Sequence, residues 1–166
     1  IDEGLELAKS HHSSEPRREI ELTYLIQSIC DDLADAGLNV VFEGGGFTSG
    51  MTVFGQAFSL RRVFENLIDN ALKYGQQASI RVQETSDKLI VIITDQGPGI
   101  PEPMIESVLE PFVRLEHSRS RETGGTGLGL AIASNLLHSQ GGSLSLRNVT
   151  PSGGLEVTVE LDRYSK

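Results

Sequence analysis

The chain has 166 residues, 38% of them hydrophobic, which is enough for one compact core of ordinary domain size. Its formal net charge of −9 would repel a polyphosphate backbone and it carries no basic stripe interleaved with aromatics, so nucleic-acid binding is not expected. Cys30 is the single cysteine, which excludes an internal disulfide and a cysteine metal cluster, and no apolar run approaches the roughly 20 residues of a membrane span.

The opening IDEGLELAKSHH has helical composition, and SSEPRRE breaks it with Ser, Pro and charge. Residues 1–19 therefore read as a helix tail and linker, and 20–166 as one domain. From Ile20 to Asp35, Leu22, Leu25, Ile26, Ile29 and Leu33 recur at helical spacing, and Gly37 stops that helix. LNVVFE and MTVFG predict two short strands on either side of GGGFTSG. Ala57 to Tyr74 is the strongest helix, with Leu60, Val63, Phe64, Leu67, Ala71 and Leu72 on one face. ASIRVQ and KLIVIIT are strand-like, the second apolar on both faces and hence central in a sheet. MIESVLEPF predicts a short helix, LEHSRSRETGG a polar loop, and Gly127 to His138 a further helix. SLSLRNV and GLEVTVEL close the chain as alternating strands around TPSGG. The expected fold class is α+β, a two-layer sandwich with a mixed sheet covered on one face by helices.

Three patterns stand out as chemistry. On the long helix, Asn66, Asn70 and Lys73 sit at i, i+4 and i+7, on one polar stripe opposite the core face. Asparagine is a middling helix former, so its double use on one stripe points to a ligand or ion, although a solvated helix face has the same pattern. In TDQGPGIP, Asp95 leaves a buried strand with Gly97 and Gly99 directly after it. This suits a pocket floor, where the carboxylate accepts a hydrogen bond from a donor such as adenine's exocyclic amine, and it equally suits a plain Gly-Pro turn.

The third pattern is GGTGLGLAI, residues 124–132. A Walker-type phosphate loop needs a lysine after its glycines, and none follows here. A dinucleotide fingerprint needs a strand just before them, and the polar SRSRET stands there instead. What remains is a glycine-hinged loop feeding a helix N-terminus, whose free N–H groups suit phosphate oxygens or simply form a helix cap.

Taken together and in order, FENLIDNALKYG, DQGPGIP, EPFVR and GGTGLGLAI resemble the ATP-binding domain of sensor histidine kinases, from about residue 20 onward. The resemblance implies the Bergerat ATP-binding fold, with the glycines of 124–129 in an ATP lid. It implies that Asp95 binds the adenine amine, that Gly97 and Gly99 admit the base, and that Ile100 and Tyr74 line the pocket. Asn70 would hold Mg²⁺, while Asn66 and Lys73 would contact the phosphate chain and serve the transfer step. Gly125, Thr126, Gly127, Leu128, Gly129 and Leu130 would close over the phosphates, and Arg114, near Phe112, would steady the γ-phosphate during transfer.

The same resemblance implies that phosphate goes to a histidine on a separate dimerisation domain and then to a response regulator. The expected acceptor phrase, His-Glu-Leu-Arg-Thr-Pro, is absent: Ser-Ser-Glu-Pro follows His11 and His12, and neither is assigned. His117 and His138 lack a partner pattern and are read as structural. The start at Ile1 leads us to expect a monomeric fragment without membrane contact, the cytoplasmic part of a homodimeric inner-membrane sensor. Two rivals stand beside this reading: a hydrolytic ATPase of the same fold, and a non-catalytic nucleotide-sensing module. The hydrolytic enzymes place a glutamate base four residues before the magnesium asparagine. Here Asn66 holds that position and Glu65 is turned about 100° away around the helix.

Overall fold

The structure, a computed structural model, describes residues 15–43, 50–110, 129–151 and 153–165. Its elements are β1 (Arg18–Glu21), α1 (Leu22–Asp35), β2 (Val40–Phe42), β3 (Thr52–Gly55), α2 (Ala57–Gly75), β4 (Ala78–Glu84), β5 (Lys88–Thr94), α3 (Gly129–Ser139), β6 (Ser143–Asn148) and β7 (Leu155–Asp162). The main sheet has the order β2-β4-β5-β7-β6. β2 runs parallel to β4 and every other neighbouring pair is antiparallel. The fold is thus α+β, as expected, and KLIVIIT is the central strand.

Alternation explains how the sheet meets the core. Leu155, Val157, Val159 and Leu161 of β7 are buried, in step with Leu89, Val91 and Ile93 of β5. Opposite them lie Leu60, Val63, Phe64, Leu67, Ile68 and Ala71 of α2 and Ile132, Leu136 and Leu137 of α3, within the same apolar cluster. The other face of β7 carries Glu156, which pairs with Arg147 of β6 at 2.6 Å, so that face is polar. Each fully buried Leu or Ile contributes roughly 1.5–3 kcal/mol relative to exposure, so this one-sided burial fixes the strand register.

The structure corrects two expectations. The first helix starts at Leu22, not Ile20; Arg18–Glu21 is instead a strand antiparallel to β3, with Ile20 opposite Val53. Ile20 is buried either way, so apolar spacing alone did not separate the two conformations. The Glu21 carboxylate accepts hydrogen bonds from the hydroxyls of Thr23 and Thr52, which ties the strand to its neighbour. MIESVLEPF does not form an α-helix over its described part but lies in two short 3-10 turns, Glu102–Met104 and Ser107–Leu109. Glu110, the residue before Pro111, is extended at ψ 145°, the conformation that a following proline imposes. Of the helix expected over 127–138, the described part runs from Gly129 to Ser139, and the polar loop before it lies outside the described residues. Among the described residues no helix is long and apolar enough to cross a membrane.

Candidate functional site

The buried run of β5 ends at Thr94 and delivers Asp95 into the interior, where it is 6% exposed. Its Oδ1 accepts hydrogen bonds from the backbone N–H of Gly97 at 2.8 Å and of Leu155 at 3.2 Å. Its own N–H donates to the Leu155 carbonyl at 3.0 Å. Burial pushes the Asp95 carboxyl above its ordinary value, and the two backbone donors offset only part of that rise. Among the described residues both donors converge on Oδ1, which leaves Oδ2 for a donor from outside.

The carboxylate sits among glycines. A Cβ at Gly75 would lie 2.4 Å from the Asp95 Cβ, and one at Gly97 would lie 2.6 Å from the Tyr74 carbonyl oxygen. A Cβ at Gly154 would meet the Asp95 carbonyl oxygen at 2.2 Å, and Gly154 itself sits at φ +106°. Gly97 was legible from TDQGPGIP, whereas Gly75 and Gly154 come from the end of α2 and the last hairpin. Sequence reasoning gave neither a role, although Gly75 closes FENLIDNALKYG and Gly154 closes TPSGG. Sequence reasoning also missed Asn148, whose amide clips the loop after Asp95. Its Oδ1 accepts from the Ile100 N–H at 2.8 Å, and its Nδ2 donates to the Ile100 carbonyl at 2.6 Å and to Glu102 Oε1 at 3.0 Å. Ile100 is buried, and Gly99 adopts φ +74° beside it, where a Cβ would lie 2.4 Å from Asn148 Oδ1.

The stripe on α2 is built differently. Asn66 and Asn70 are half-buried, and Lys73 is exposed. Asn66 Nδ2 is buried with no hydrogen-bond partner among the described residues, an orphan donor of the kind that a ligand oxygen satisfies. Lys73 Nζ lies 3.0 Å from Asp69, a solvent-exposed i, i+4 pair worth no more than about 1 kcal/mol and easily released. Glu65 points away from the stripe: it pairs with Arg61 at 2.8 Å, and Arg61 also pairs with Asp32 of α1 at 2.9 Å. At the end of α2, Tyr74 borders an open cleft of about 490 Å³, shared with Gly97, Gln96 and Asn39.

Of the remaining predicted residues, Gly129 and Leu130 begin α3; a Cβ at Gly129 would meet nothing within 4 Å, and Leu130 packs against the core. Arg114, Phe112, Gly125, Thr126, Gly127 and Leu128 lie outside the described residues, as do His11, His12 and His117. His138 is exposed in the last turn of α3. Among the described residues no group of three His, Cys, Asp or Glu side chains forms a metal cage.

The model of the family described as histidine kinase-, DNA gyrase B-, and HSP90-like ATPase matches residues 55–165. The chain is 36% identical over 161 residues to the sensor histidine kinase GtrS of Pseudomonas aeruginosa, covering 96% of this chain and 32% of that protein. It is 34% identical over 131 residues to the signal transduction histidine-protein kinase BaeS of Escherichia coli, covering 77% of this chain and 27% of that protein. The chain thus spans about a third or less of the length of these relatives. The solved structure of full-length ShkA in complex with AMPPNP shares the fold at a TM-score of 0.78, with 19% identity over 99% of this chain and 35% of that one.

Proposed function

Because the chain belongs to the family of histidine kinase-, DNA gyrase B-, and HSP90-like ATPases, as an ATP-binding domain of the sensor histidine kinase kind, we propose that it binds ATP between Asp95 and the polar stripe of α2 and donates the γ-phosphate to a histidine on a separate dimerisation domain. The observation that carries this reading is the Asp95 cradle. A buried carboxylate with one oxygen held by two backbone donors presents the other to an amine donor such as that of adenine, and the flanking glycines let the backbone close around Asp95 and fix its direction.

The phosphate side follows from the stripe. The orphan amide of Asn66 supplies a donor to a phosphate oxygen, and Lys73 a point charge once Asp69 is exchanged for phosphate. Asn70 stands on the same face, and its hard amide oxygen would hold Mg²⁺. Bound there, the ion would supply positive charge that offsets that of the phosphates. Arg114 and the glycines of 125–129 would complete the site around the γ-phosphate. Hydrolysis is disfavoured because the position that would carry a base is Asn66 and the adjacent Glu65 is turned about 100° around the helix, beside Arg61. The phosphate would pass on to a response regulator, and the parent protein would be a homodimeric sensor with this part on the cytoplasmic side.

The test is to mix the chain with radiolabelled ATP, Mg²⁺ and a separately made histidine-bearing dimerisation domain. Acid-labile, base-stable label on the added domain is the expected result. ATP binding with no label transferred would replace this reading with that of a nucleotide-sensing module.

A further inference from the structure

The segment just ahead of β1 reaches the ends of both helices that frame the nucleotide site. The N-cap residue of α2, Gln56, makes no side-chain cap, and the first turn of α2 has no acidic residue. The missing anion comes from 43 residues upstream: Glu15 Oε2 accepts the Phe58 N–H at 2.9 Å. Two residues on, the Arg17 guanidinium donates to the carbonyl of Ser139 at 3.5 Å and of Gln140 at 3.4 Å, at the C-terminus of α3, and to the Phe54 carbonyl at 3.0 Å. Anion at one helix N-terminus and cation at the other's C-terminus is the favourable arrangement at both dipole ends.

The two ends are also locked to each other. The buried Gln140 accepts from the Gln56 N–H at 2.8 Å, and its Nε2 donates to Gln56 Oε1 at 2.9 Å. Gln56 Nε2 donates to the Glu15 carbonyl, which closes the ring of contacts. Gly55 makes room for this, since a Cβ there would lie 2.9 Å from Gln140 Oε1. The start of α2 therefore meets the end of α3, and the packed helices run antiparallel. At about 1.5 Å per residue, the 11 residues of α3 lead back along α2 by about 16 Å, toward the level of Asn66 and Asn70.

We propose that Glu15 and Arg17 are positioning residues for the nucleotide site: by capping α2 and α3 at their shared end, they set the spacing between the asparagine stripe and the glycine start of α3, so that displacement of the upstream segment changes nucleotide affinity. This rests on the reading that the nucleotide binds between those two elements. The link is thermodynamically reciprocal, so nucleotide binding must in turn tighten the clamp.

The experiment uses the 166-residue chain and its Glu15→Gln, Arg17→Ala, Arg17→Lys and Glu15→Gln/Arg17→Ala variants. Each is titrated calorimetrically with Mg²⁺ and AMPPNP, and exchange of the Phe58 amide is followed with and without nucleotide. The single changes are expected to weaken binding about two- to fivefold and the double variant about three- to tenfold, with Arg17→Lys recovering part of the loss. In the wild type, nucleotide should slow Phe58 exchange at least threefold more than it slows core amides that exchange only through global unfolding, a local response that a clamp serving only the stability of the fold does not give. Equal affinity across the near-isosteric Glu15→Gln and Arg17→Lys variants, with Phe58 exchange indifferent to nucleotide, overturns the inference and leaves the ATP site standing. Failure of the wild type itself to bind AMPPNP overturns both.

Discussion

The two walls of the proposed ATP site are built on opposite plans. The Asp95 wall is fixed by backbone: two main-chain donors hold one carboxylate oxygen, and three glycines leave no room around it. The wall on α2 is made of side chains on a half-exposed helix face, with an orphan amide at Asn66 and a loose ion pair at Lys73. A wall made of backbone has its geometry before any ligand arrives, which suits recognition of a rigid base. A wall of side chains is completed by what it binds, which suits a flexible phosphate chain and its metal ion. Bulk added at the glycines of the first wall should therefore damage the fold and binding together, and changes in the second wall should damage binding alone.

The sharpest way to break this contrast is Gly154→Ala. The new Cβ falls 2.2 Å from the Asp95 carbonyl oxygen at a residue held at φ +106°, so overpacking and backbone strain together should cost about 2–4 kcal/mol, read by denaturant unfolding. An unfolding midpoint equal to that of the wild type would show that the cradle is pliable. Asn70→Ala supplies the opposite case. Its stability should stay within about 0.5 kcal/mol of the wild type, while the gain in AMPPNP affinity on adding Mg²⁺ disappears in calorimetry. A retained Mg²⁺ response would remove Asn70 from the metal role.

The smallest effect sharpens the comparison through pH. The Asp95 carboxyl is raised in the fold, so the folded state holds its proton more tightly than the unfolded chain does. The stabilisation from that proton is complete below the ordinary aspartate range and is lost as pH rises through the elevated value. Without nucleotide, the difference in stability between the wild type and Asp95→Asn should therefore shift in favour of the wild type on acidification through this window. Nucleotide affinity should fall over the same window, because protonation weakens the acceptor. A pH-independent difference between the two proteins would remove burial of the charge as the cause.

Most of the fold was legible because its signals are local. The apolar face from Leu60 to Leu72 gave α2, the two-faced run KLIVIIT gave the central strand, and TPSGG gave the last hairpin. Asp95 was legible for the same reason, as a carboxylate at the end of a buried strand with glycines behind it. The clip from Asn148 and the close packing at Gly75 and Gly154 were not, because each depends on segments that meet only after β7 has paired with β5. β1 was misread for a related reason: its identity depends on pairing with β3, about 30 residues away, which no local periodicity records. The caps from Glu15 and Arg17 belong to the same class of long-range contact.

The affinity of AMPPNP for the wild type and for Asp95→Asn, each measured with and without Mg²⁺, tests the role of the Asp95 cradle most directly. Loss of a charge-assisted hydrogen bond worth roughly 1.5–3 kcal/mol predicts ten- to a hundredfold weaker binding by Asp95→Asn, by the same factor in both conditions, with the fold intact. Equal affinity of the two proteins would contradict the assignment of the Asp95 cradle to the base.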